Sequence, residues 1–253
     1  MNMRDITLLK VHPEQTLVIA CDSCGGVGDK PGDIVTVPPE IVGYYTCRVA
    51  AMEVMAVGAE IKLVIDTLSV EWDPTGKRIL DGIQQFLSEA GVSLSAVNGS
   101  TEENFTMSQT AMGITVIGSV HPDNLQSGIS RPGDVLITAG LPKVGSELKH
   151  PFDPDVISTG AFNVLLSHEG VHDIVPVGSK GIRHEAEMLA SINQLAVHFE
   201  EAPAVDLDKS GGPATCVVAA VSASTVETLK KRVQIPVTVI GTLGKAVHEN
   251  DRI

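Results

Sequence analysis

The sequence is poor in aromatic side chains and in cysteine, and both shortages narrow what the protein can be. Its 253 residues include five Phe, two Tyr and one Trp, so a core has to be packed mainly with aliphatic side chains. Hydrophobic residues make up 43% of the chain, which is ordinary for a folded globular protein. Four cysteines do not form a secreted disulfide framework in a chain of this length, and reduced thiols are expected.

Basic residues are also scarce. Eighteen Lys and Arg against 31 Asp and Glu give a formal charge of −13, which repels nucleic-acid backbones and anionic membranes. No apolar run approaches the roughly 18 residues of a membrane span, and the first residues, MNMRDITLLK, lack the apolar stretch of a signal peptide. We therefore expect a cytoplasmic protein that does not bind nucleic acid or membranes.

The order of apolar and polar residues predicts two domains, at residues 1–122 and 130–253, joined by the Pro-, Gly- and Ser-rich connection 122–133. In the first domain it predicts strands at 16–21, 61–69, 92–97 and 110–120 and helices at 41–59 and 74–90. In the second it predicts strands at 134–139, 172–177 and 237–242 and helices at 154–168, 182–196 and 213–231.

Asp22 follows a predicted buried strand and precedes a loop that contains Gly25, Gly26 and Gly28. Backbone N–H groups of such a loop can approach phosphates while a carboxylate holds Mg²⁺. An ordinary Asp-Gly turn would explain the same residues, so the loop alone does not define a site.

Glu53 lies in a helix that is otherwise apolar nearly all round, where an ionised carboxylate needs a partner or a metal. Arg48, five positions earlier, is outside the helical neighbours at three and four positions. An ion pair with a residue elsewhere and magnesium binding both remain open. Asp66, inside the apolar run LVIDTL, poses the same question near the end of a strand.

Three further segments are candidates for ligand binding. Residues 98–104 (NGSTEEN) place amide, hydroxyl and carboxylate groups at a strand end, which suits either a nucleotide site or a solvated loop. In the second domain, Lys180 and the segment 206–215 each precede a predicted helix. They could bind an anion or could simply cap the helices.

Two other patterns exclude more than they predict. Cys21 and Cys24 have CxxC spacing, but Cys47 and Cys216 offer no second pair, so buried cysteine packing is favoured over zinc or redox chemistry. The sequence has no G-x-x-x-x-G-K-[ST] loop, no H-R-D catalytic loop and no G-x-S-x-G elbow.

The segments DSCGGVGDKPGD, VGYYTCRVAAMEVMAVGAE and NGSTEEN, in this order, resemble a known superfamily. It contains aminoimidazole ribonucleotide synthetase, thiamine-monophosphate kinase, selenophosphate synthetase and the hydrogenase-maturation dehydratase. DLDKSGGPAT resembles the Gly-rich loop of its second domain. The resemblance implies a two-domain α+β or α/β chain. Its N-terminal mixed sheet and helices would form a barrel with a second subunit, and ATP would lie near the subunit interface of the homodimer. A C-terminal α/β domain would follow.

The resemblance also implies site residues. Asp22 matches the first metal ligand, and Glu53 stands where members usually carry Asp. Ser100 stands where the kinases have a metal-binding Asp, which leaves the third ligand open to Glu102 or Glu103. Gly211 replaces an acid of thiamine-monophosphate kinase, which argues against that substrate.

The combination GDIVTVPPEIVGYYTCRVAAMEVMAVGAE with NGSTEENFTMSQTAMGITVIG is most similar to the alpha-ribazole kinase branch, which serves cobamide salvage. The expected activity is transfer of the γ-phosphoryl group of Mg-ATP to a ribose hydroxyl. Asp22 and Glu53 are expected to bind the metal. Nucleotide binding falls to Gly25, Gly26, Lys30, Asp66, Asn98, Gly99, Ser100, Thr101 and Glu102. Acceptor binding falls to Lys180, Asp208 and Ser210.

Two other functions fit the same resemblance. An ATP-dependent cyclo-ligase or dehydratase would use ATP to activate an oxygen for displacement, without releasing a phosphorylated product. A non-catalytic nucleotide-binding protein would keep the fold and lack the third metal ligand, for which Ser100 is the reason.

Overall fold

A computed structural model describes residues 2–92, 97–149 and 152–246. The chain divides into two compact units, Met1–Leu125 and Gln126–Ile253. The division falls inside the Pro- and Gly-rich connection 122–133. Each unit contains one main β-sheet with its own helices.

The first unit contains eight strands and two helices in its described part. They are β1 (Asn2–Met3), β2 (Ile6–His12), β3 (Gln15–Gly25), β4 (Val27–Gly28), β5 (Val35–Thr36), α1 (Pro39–Ala56), β6 (Glu60–Leu68), α2 (Lys77–Glu89), β7 (Val97–Thr101) and β8 (Ala111–Val120). Six strands form the main sheet in the order β1-β2-β3-β8-β6-β7, and β4 pairs with β5. In the main sheet β6 and β7 are parallel and the other pairs are antiparallel.

Helix α1 packs on one face of this sheet, and α2 packs on α1. Every second residue of β8, from Met112 to Val120, is buried on the helix side, as the period of two in a half-covered strand requires. Two glycines bring the helices together. A Cβ at Gly43 would overlap the carbonyl of Ile79, and a Cβ at Gly82 would overlap that of Glu40.

The opposite face of the sheet carries apolar side chains that are only half-buried. Ile19 of β3 pairs with Ile117 of β8, which pairs in turn with Leu63 of β6, so the three form one row across the sheet. On β2, Leu9 and Val11 are each about half exposed. This second face is more apolar than a fully solvated sheet face needs to be.

The second unit contains five strands and three helices in its described part. They are β9 (Val135–Ala139), α3 (Thr159–Leu166), β10 (Val171–Pro176), α4 (Gly181–Ile192), β11 (Leu195–Phe199), β12 (Val217–Val221), α5 (Val226–Arg232) and β13 (Val237–Lys245). The strands form one antiparallel sheet in the order β10-β12-β9-β13-β11. Strand β12 is buried along its whole length. Helix α4 packs on the sheet through Ile182, Ala186 and Leu189.

Several predicted elements differ from the structure. The predicted helix 213–231 is wrong, because its first half is strand β12 and only Val226–Arg232 is helical. Strands β2 and β11 were not predicted as strands, and β7 includes part of the polar segment expected to be a loop. Helix α3 begins at Thr159 and not at 154, because the Ser158 hydroxyl accepts from the Ala161 N–H and caps it. The predicted strand 92–97 lies mostly outside the described residues.

The two-domain fold of the α+β class, with a mixed sheet in the first unit, is confirmed. Among the helices in the described ranges, none is long and apolar enough to cross a membrane.

Candidate functional site

Asp22 and Asp66 lie in one row at the same end of the first sheet. Asp22 of β3 and Asp66 of β6 each pair with Ile114 of the intervening strand β8. Directly paired residues point to the same face, so both carboxylates lie on the face that α1 covers. Two strand spacings separate their backbones, roughly 10 Å.

Both carboxyl groups are poorly solvated. Burial raises the pKa of Asp22 from its ordinary 3.8 to about 6, the Ser23 N–H partly offsets this, and Asp5 adds a small repulsion. Burial also raises the pKa of Asp66, which is only 5% exposed. A nearby cation would stabilise the ionised form of both groups.

Gly99 leaves room for the Asp66 side chain. It pairs with Asp66 across the parallel β6–β7 ladder, and a Cβ at Gly99 would overlap the Asp66 carboxylate. Asn98 accepts from the Gly99 N–H at 2.9 Å, and Thr101 donates to Glu103 at 2.9 Å. In the described part of the chain, the amide nitrogen of Asn98 and the hydroxyl of Ser100 have no hydrogen-bond partner. Asn98 and Ser100 alternate with Gly99 along β7, so their side chains point to the sheet face opposite the one that carries Asp66.

The glycine-rich loop after β3 is held to the start of β8. Asp33 accepts from the Thr110 N–H and hydroxyl, each at 2.7 Å, and from the Lys30 N–H at 2.9 Å. Burial opposes ionisation of Asp33, but these bonds outweigh it and lower its pKa. Gly28 packs so closely on Thr110 that a Cβ could not fit. The loop is thus preorganised, although sequence reasoning did not identify Asp33 or Thr110.

Lys30 was predicted to bind the nucleotide. In this structure its ammonium group lies 2.7 and 3.0 Å from the two carboxylate oxygens of Glu71, and Glu71 also accepts from Thr75. Burial opposes ionisation of Glu71, but Lys30 and Thr75 lower its pKa. Lys30 therefore fastens the loop to the segment after β6 in this structure.

Glu53 has the ion-pair partner that its sequence position demanded. Its carboxylate lies 3.7 Å from the guanidinium of Arg4, and the two side chains are 8% and 3% exposed. Cys47, six residues before Glu53 on α1, has its pKa raised by burial and, to a smaller extent, by the charge of Asp66. The structure therefore brings Asp22 and Asp66 into one row and engages Glu53 with Arg4. This pairing favours a structural role for Glu53.

The CxxC pair does not form a dithiol site. Both cysteines belong to strand β3, and an odd separation of three places their side chains on opposite faces. Cys21 is exposed and lies 3.4 Å from the Thr115 hydroxyl. Cys24 is half-buried on the helix side, where burial raises its pKa. The expectation against zinc or redox chemistry agrees with this geometry.

The predicted acceptor residues lie together in the second unit, around the start of α4. Gly181 opens that helix with φ of +82°, and a Cβ there would lie 2.9 Å from backbone atoms of Leu207, Asp208 and Lys209. Asp208 is engaged by Arg183 at 2.8 Å, a partner that the sequence analysis missed. Ser210 accepts from the Gly212 N–H at 3.4 Å. Lys180 is exposed and has no ion-pair partner within the described ranges.

Gly211 is sterically required in this chain. A Cβ there would lie 2.7 Å from a methyl carbon of Val177 and 3.3 Å from the Cys216 sulfur. A side chain at this position therefore requires a shift of Val177 or of the loop.

Asp22 and Asp66 fit the donor set that Mg²⁺ uses with nucleotides. Such an ion takes one or two carboxylates, keeps several waters and completes its shell with phosphate oxygens. Among the residues that the structure describes, no three His, Cys, Asp or Glu side chains form a cluster that could hold a metal on their own. With two carboxylates from the protein, the rest of such an ion's shell is left to water and phosphate oxygens.

Comparison with known proteins gives a match for the first unit. Residues 3–120 match the family described as AIR synthase related protein, N-terminal domain. No curated protein matches the sequence. PurLQS from Thermotoga maritima has a similar fold, with a TM-score of 0.68 and 16% identity over 96% of this chain and 43% of its own. Thiamine monophosphate kinase from Aquifex aeolicus gives a TM-score of 0.66 and 14% identity over 97% of this chain and 90% of its own.

The chain spans less than half of the PurLQS chain, and identities this low show the fold alone. The fold and the acidic end of the first sheet define a two-unit α+β protein with carboxylates on the two strands that flank β8. Residues 3–120 are thus similar to the N-terminal domain of AIR synthase related proteins.

Proposed function

We propose that the protein is a Mg-ATP-dependent kinase that phosphorylates a hydroxyl group of a nucleoside-like small molecule. The observation that carries this proposal is the row formed by Asp22 and Asp66 at the end of the first sheet. The fold supports it, because the similarity to the Aquifex aeolicus kinase extends over 97% of this chain and 90% of that one. A related structure, AaThiL, was solved with AMPPCP and TMP.

In this proposal Asp22 and Asp66 hold the Mg²⁺ that accompanies ATP. The ion would neutralise charge on the phosphates during transfer. Burial raises the pKa of both carboxyl groups, and a bound cation would offset this effect. Both groups would then be ionised, as metal binding requires. The order of strands places Gly99 beside Asp66, and Asn98 and Ser100, on the other face of β7, would take no part in holding the cation.

Glu53 takes a different role from the one that the resemblance implies. Its ion pair with Arg4 ties α1 to the turn between β1 and β2. In the proposal it supports the sheet, and the place of a third acid ligand is left to phosphate oxygens and water.

The finer part of the proposal is the acceptor. Alpha-ribazole is the acceptor that the sequence resemblance indicates, and the cluster of Lys180, Asp208 and Ser210 is its candidate binding site. The close packing of Gly211 on Val177 supports a substrate other than thiamine monophosphate, because no acid fits there. The acceptor hydroxyl would form the new P–O bond as the bond to the departing ADP breaks.

The protein would act as a homodimer. The half-buried row of Ile19, Ile117 and Leu63 lies on the sheet face opposite α1 and supplies a contiguous apolar surface for a second copy.

The test is product analysis with γ-labelled ATP, Mg²⁺ and alpha-ribazole. The proposal expects a labelled monophosphate of the acceptor, and a panel of other nucleoside-like alcohols would define the specificity. Asp22→Asn should abolish transfer, whereas Asp81→Asn, at an exposed position of α2, should not change it.

A second candidate, a ligase-type use of ATP, is favoured by the likeness to PurL from Thermotoga maritima, which was solved with ATP. It predicts ADP and free phosphate with no phosphorylated acceptor. That result, or nucleotide binding with no turnover on any acceptor, would contradict the kinase proposal.

A further inference from the structure

The second unit contains a cavity of about 550 Å³ that the proposed phosphoryl transfer does not use. This volume lies within the range of small-molecule pockets. The cavity is at the first residues of β10, whereas the start of α4 follows the last residue of that strand. Six residues of strand separate the two ends, roughly 17 Å. The cavity is therefore distinct from the cluster around Lys180.

One buried carboxylate positions two basic groups at this cavity. Asp134, whose side chain is 7% exposed, accepts from the Nδ1–H of His172 at 2.7 Å. The same oxygen accepts from the Arg131 backbone N–H at 2.7 Å. Both Arg131 and His172 line the cavity. Since Nδ1 is bound to Asp134, Nε2 is the His172 ring nitrogen left for a ligand.

A second histidine presents a defined donor. His168 Nδ1 accepts from the Gly170 N–H at 3.1 Å, which places the proton of the neutral ring on Nε2. The guanidinium of Arg131 forms no hydrogen bond or ion pair within the described ranges of the chain. The hydroxyl of Ser222, on the same cavity wall, likewise has no partner there.

The loop that contains Arg131 is held in place from behind. Asp173 accepts from the backbone N–H groups of Gly128, Ile129 and Ser130 at 2.8 to 3.2 Å, and also from the Ser130 hydroxyl. The side-chain carbonyl of Asn193, the residue that follows α4, also accepts from the Ser130 N–H, at 2.8 Å. A wall fixed in this way loses little conformational entropy when a ligand binds.

The charge of the cavity is unusual for this protein. Its lining has one cation, Arg131, and one acid, Glu169, beside the imidazoles of His168 and His172, whereas the chain as a whole has a formal charge of −13. Ile129 and Leu166 add apolar surface. An arginine fork with imidazole donors suits a carboxylate or phosphate oxyanion. Glu169 disfavours ligands with several negative groups.

We propose that this cavity binds a small metabolite through a single phosphate or carboxylate group. Arg131 and the His168 Nε2–H donate to the oxyanion, His172 is held in position by Asp134, and the apolar part of the ligand rests on Ile129 and Leu166. The site is a second ligand site of the protein, independent of nucleotide binding in the first unit.

The test follows histidine ring signals by NMR during separate titrations with inorganic phosphate and with acetate at constant ionic strength. The ring signals of His168 and His172 should move saturably, while those of His12, on β2, should not. A response to phosphate alone identifies a phosphate ligand, and a response to acetate extends the class to carboxylates. Arg131→Gln should weaken binding roughly tenfold, since a charged hydrogen bond is lost.

Arg232→Gln, at an exposed position of α5, is the matched control and should leave binding unchanged. Asp22→Asn should also leave it unchanged, which separates this site from the proposed kinase site. Circular dichroism verifies that each variant is folded. If neither anion moves both rings, or if Arg131→Gln binds as tightly as the parent protein, the proposal is overturned.

Discussion

Asp22 and Asp66 face the same side of the first sheet, one strand to either side of Ile114, and both are acids whose burial raises their pKa. Neither carboxylate belongs to a cluster of three metal-ligand side chains among the described residues. This arrangement costs stability in the free protein and is relieved by a cation, which is the form expected of a site that acquires its metal with a ligand.

The first prediction concerns pH. Folded Asp22 binds its proton more tightly than unfolded Asp22, so its contribution to stability falls as pH rises from 3.8 to about 6. Asp22→Asn removes this loss. In metal-free buffer, Asp22→Asn should therefore raise the free energy of unfolding more at pH 8 than at pH 5. The difference should be up to about 1 kcal/mol, allowing for partial solvent screening. Urea unfolding at both pH values measures it. Asp81→Asn is the control, and an equal effect of Asp22→Asn at both pH values would be evidence against the burial of Asp22.

The second prediction concerns Glu53. Removal of its charge leaves Arg4 buried without an opposite charge, so Glu53→Gln should destabilise the fold by about 3 kcal/mol. A double-mutant cycle with Arg4→Met should recover much of this loss, because the two side chains interact directly. Chemical denaturation of the four proteins gives the coupling energy. A coupling energy near zero, together with altered Mg²⁺ dependence of nucleotide binding in Glu53→Gln, would instead indicate that Glu53 is a metal ligand.

The third prediction concerns Gly99. Gly99→Ala places a methyl group where the Asp66 carboxylate lies, so it should destabilise the first unit by roughly 1 to 3 kcal/mol and weaken nucleotide binding. Gly160→Ala is the matched control, since a Cβ at that helical position meets nothing closer than 3.8 Å. Thermal unfolding of both variants measures the loss of stability, and nucleotide titration measures the loss of affinity. Normal nucleotide affinity in Gly99→Ala would show that Asp66 is not needed there.

The fourth prediction concerns the apolar row of Ile19, Ile117 and Leu63. Ile117→Asp should convert a dimer into a monomer, because a charge would be buried at the centre of the contact. Light scattering after size exclusion measures the mass. Val144→Asp, at a position 46% exposed in the second unit, should leave the mass unchanged. A parent protein that is already monomeric would refute the homodimer.

Much of the fold could be predicted from sequence because its elements have clear periods. Helix α2 and strand β8 are examples, with regular spacing of apolar side chains. The failure at 213–231 has a physical reason. Val217–Val221 is buried on both faces, and a short run that is apolar throughout has no period to separate strand from helix.

The candidate site was predictable only in part. Asp22, Asp66 and the glycines were visible as polar or flexible residues at strand ends. The ion pair of Glu53 with Arg4 was not, because the two residues are far apart in sequence and meet only after β1 and β2 fold beside α1. The same applies to Asp33, which holds the glycine-rich loop in place by accepting hydrogen bonds from the distant Thr110.

The most direct test of the account is calorimetric titration of a nonhydrolysable ATP analogue into the protein, with Mg²⁺ and with EDTA. The account predicts Mg²⁺-dependent binding to the parent protein and to Asp81→Asn, and loss of the Mg²⁺-dependent part in both Asp22→Asn and Asp66→Asn. Binding of equal affinity and equal Mg²⁺ dependence in either of these two variants would contradict it.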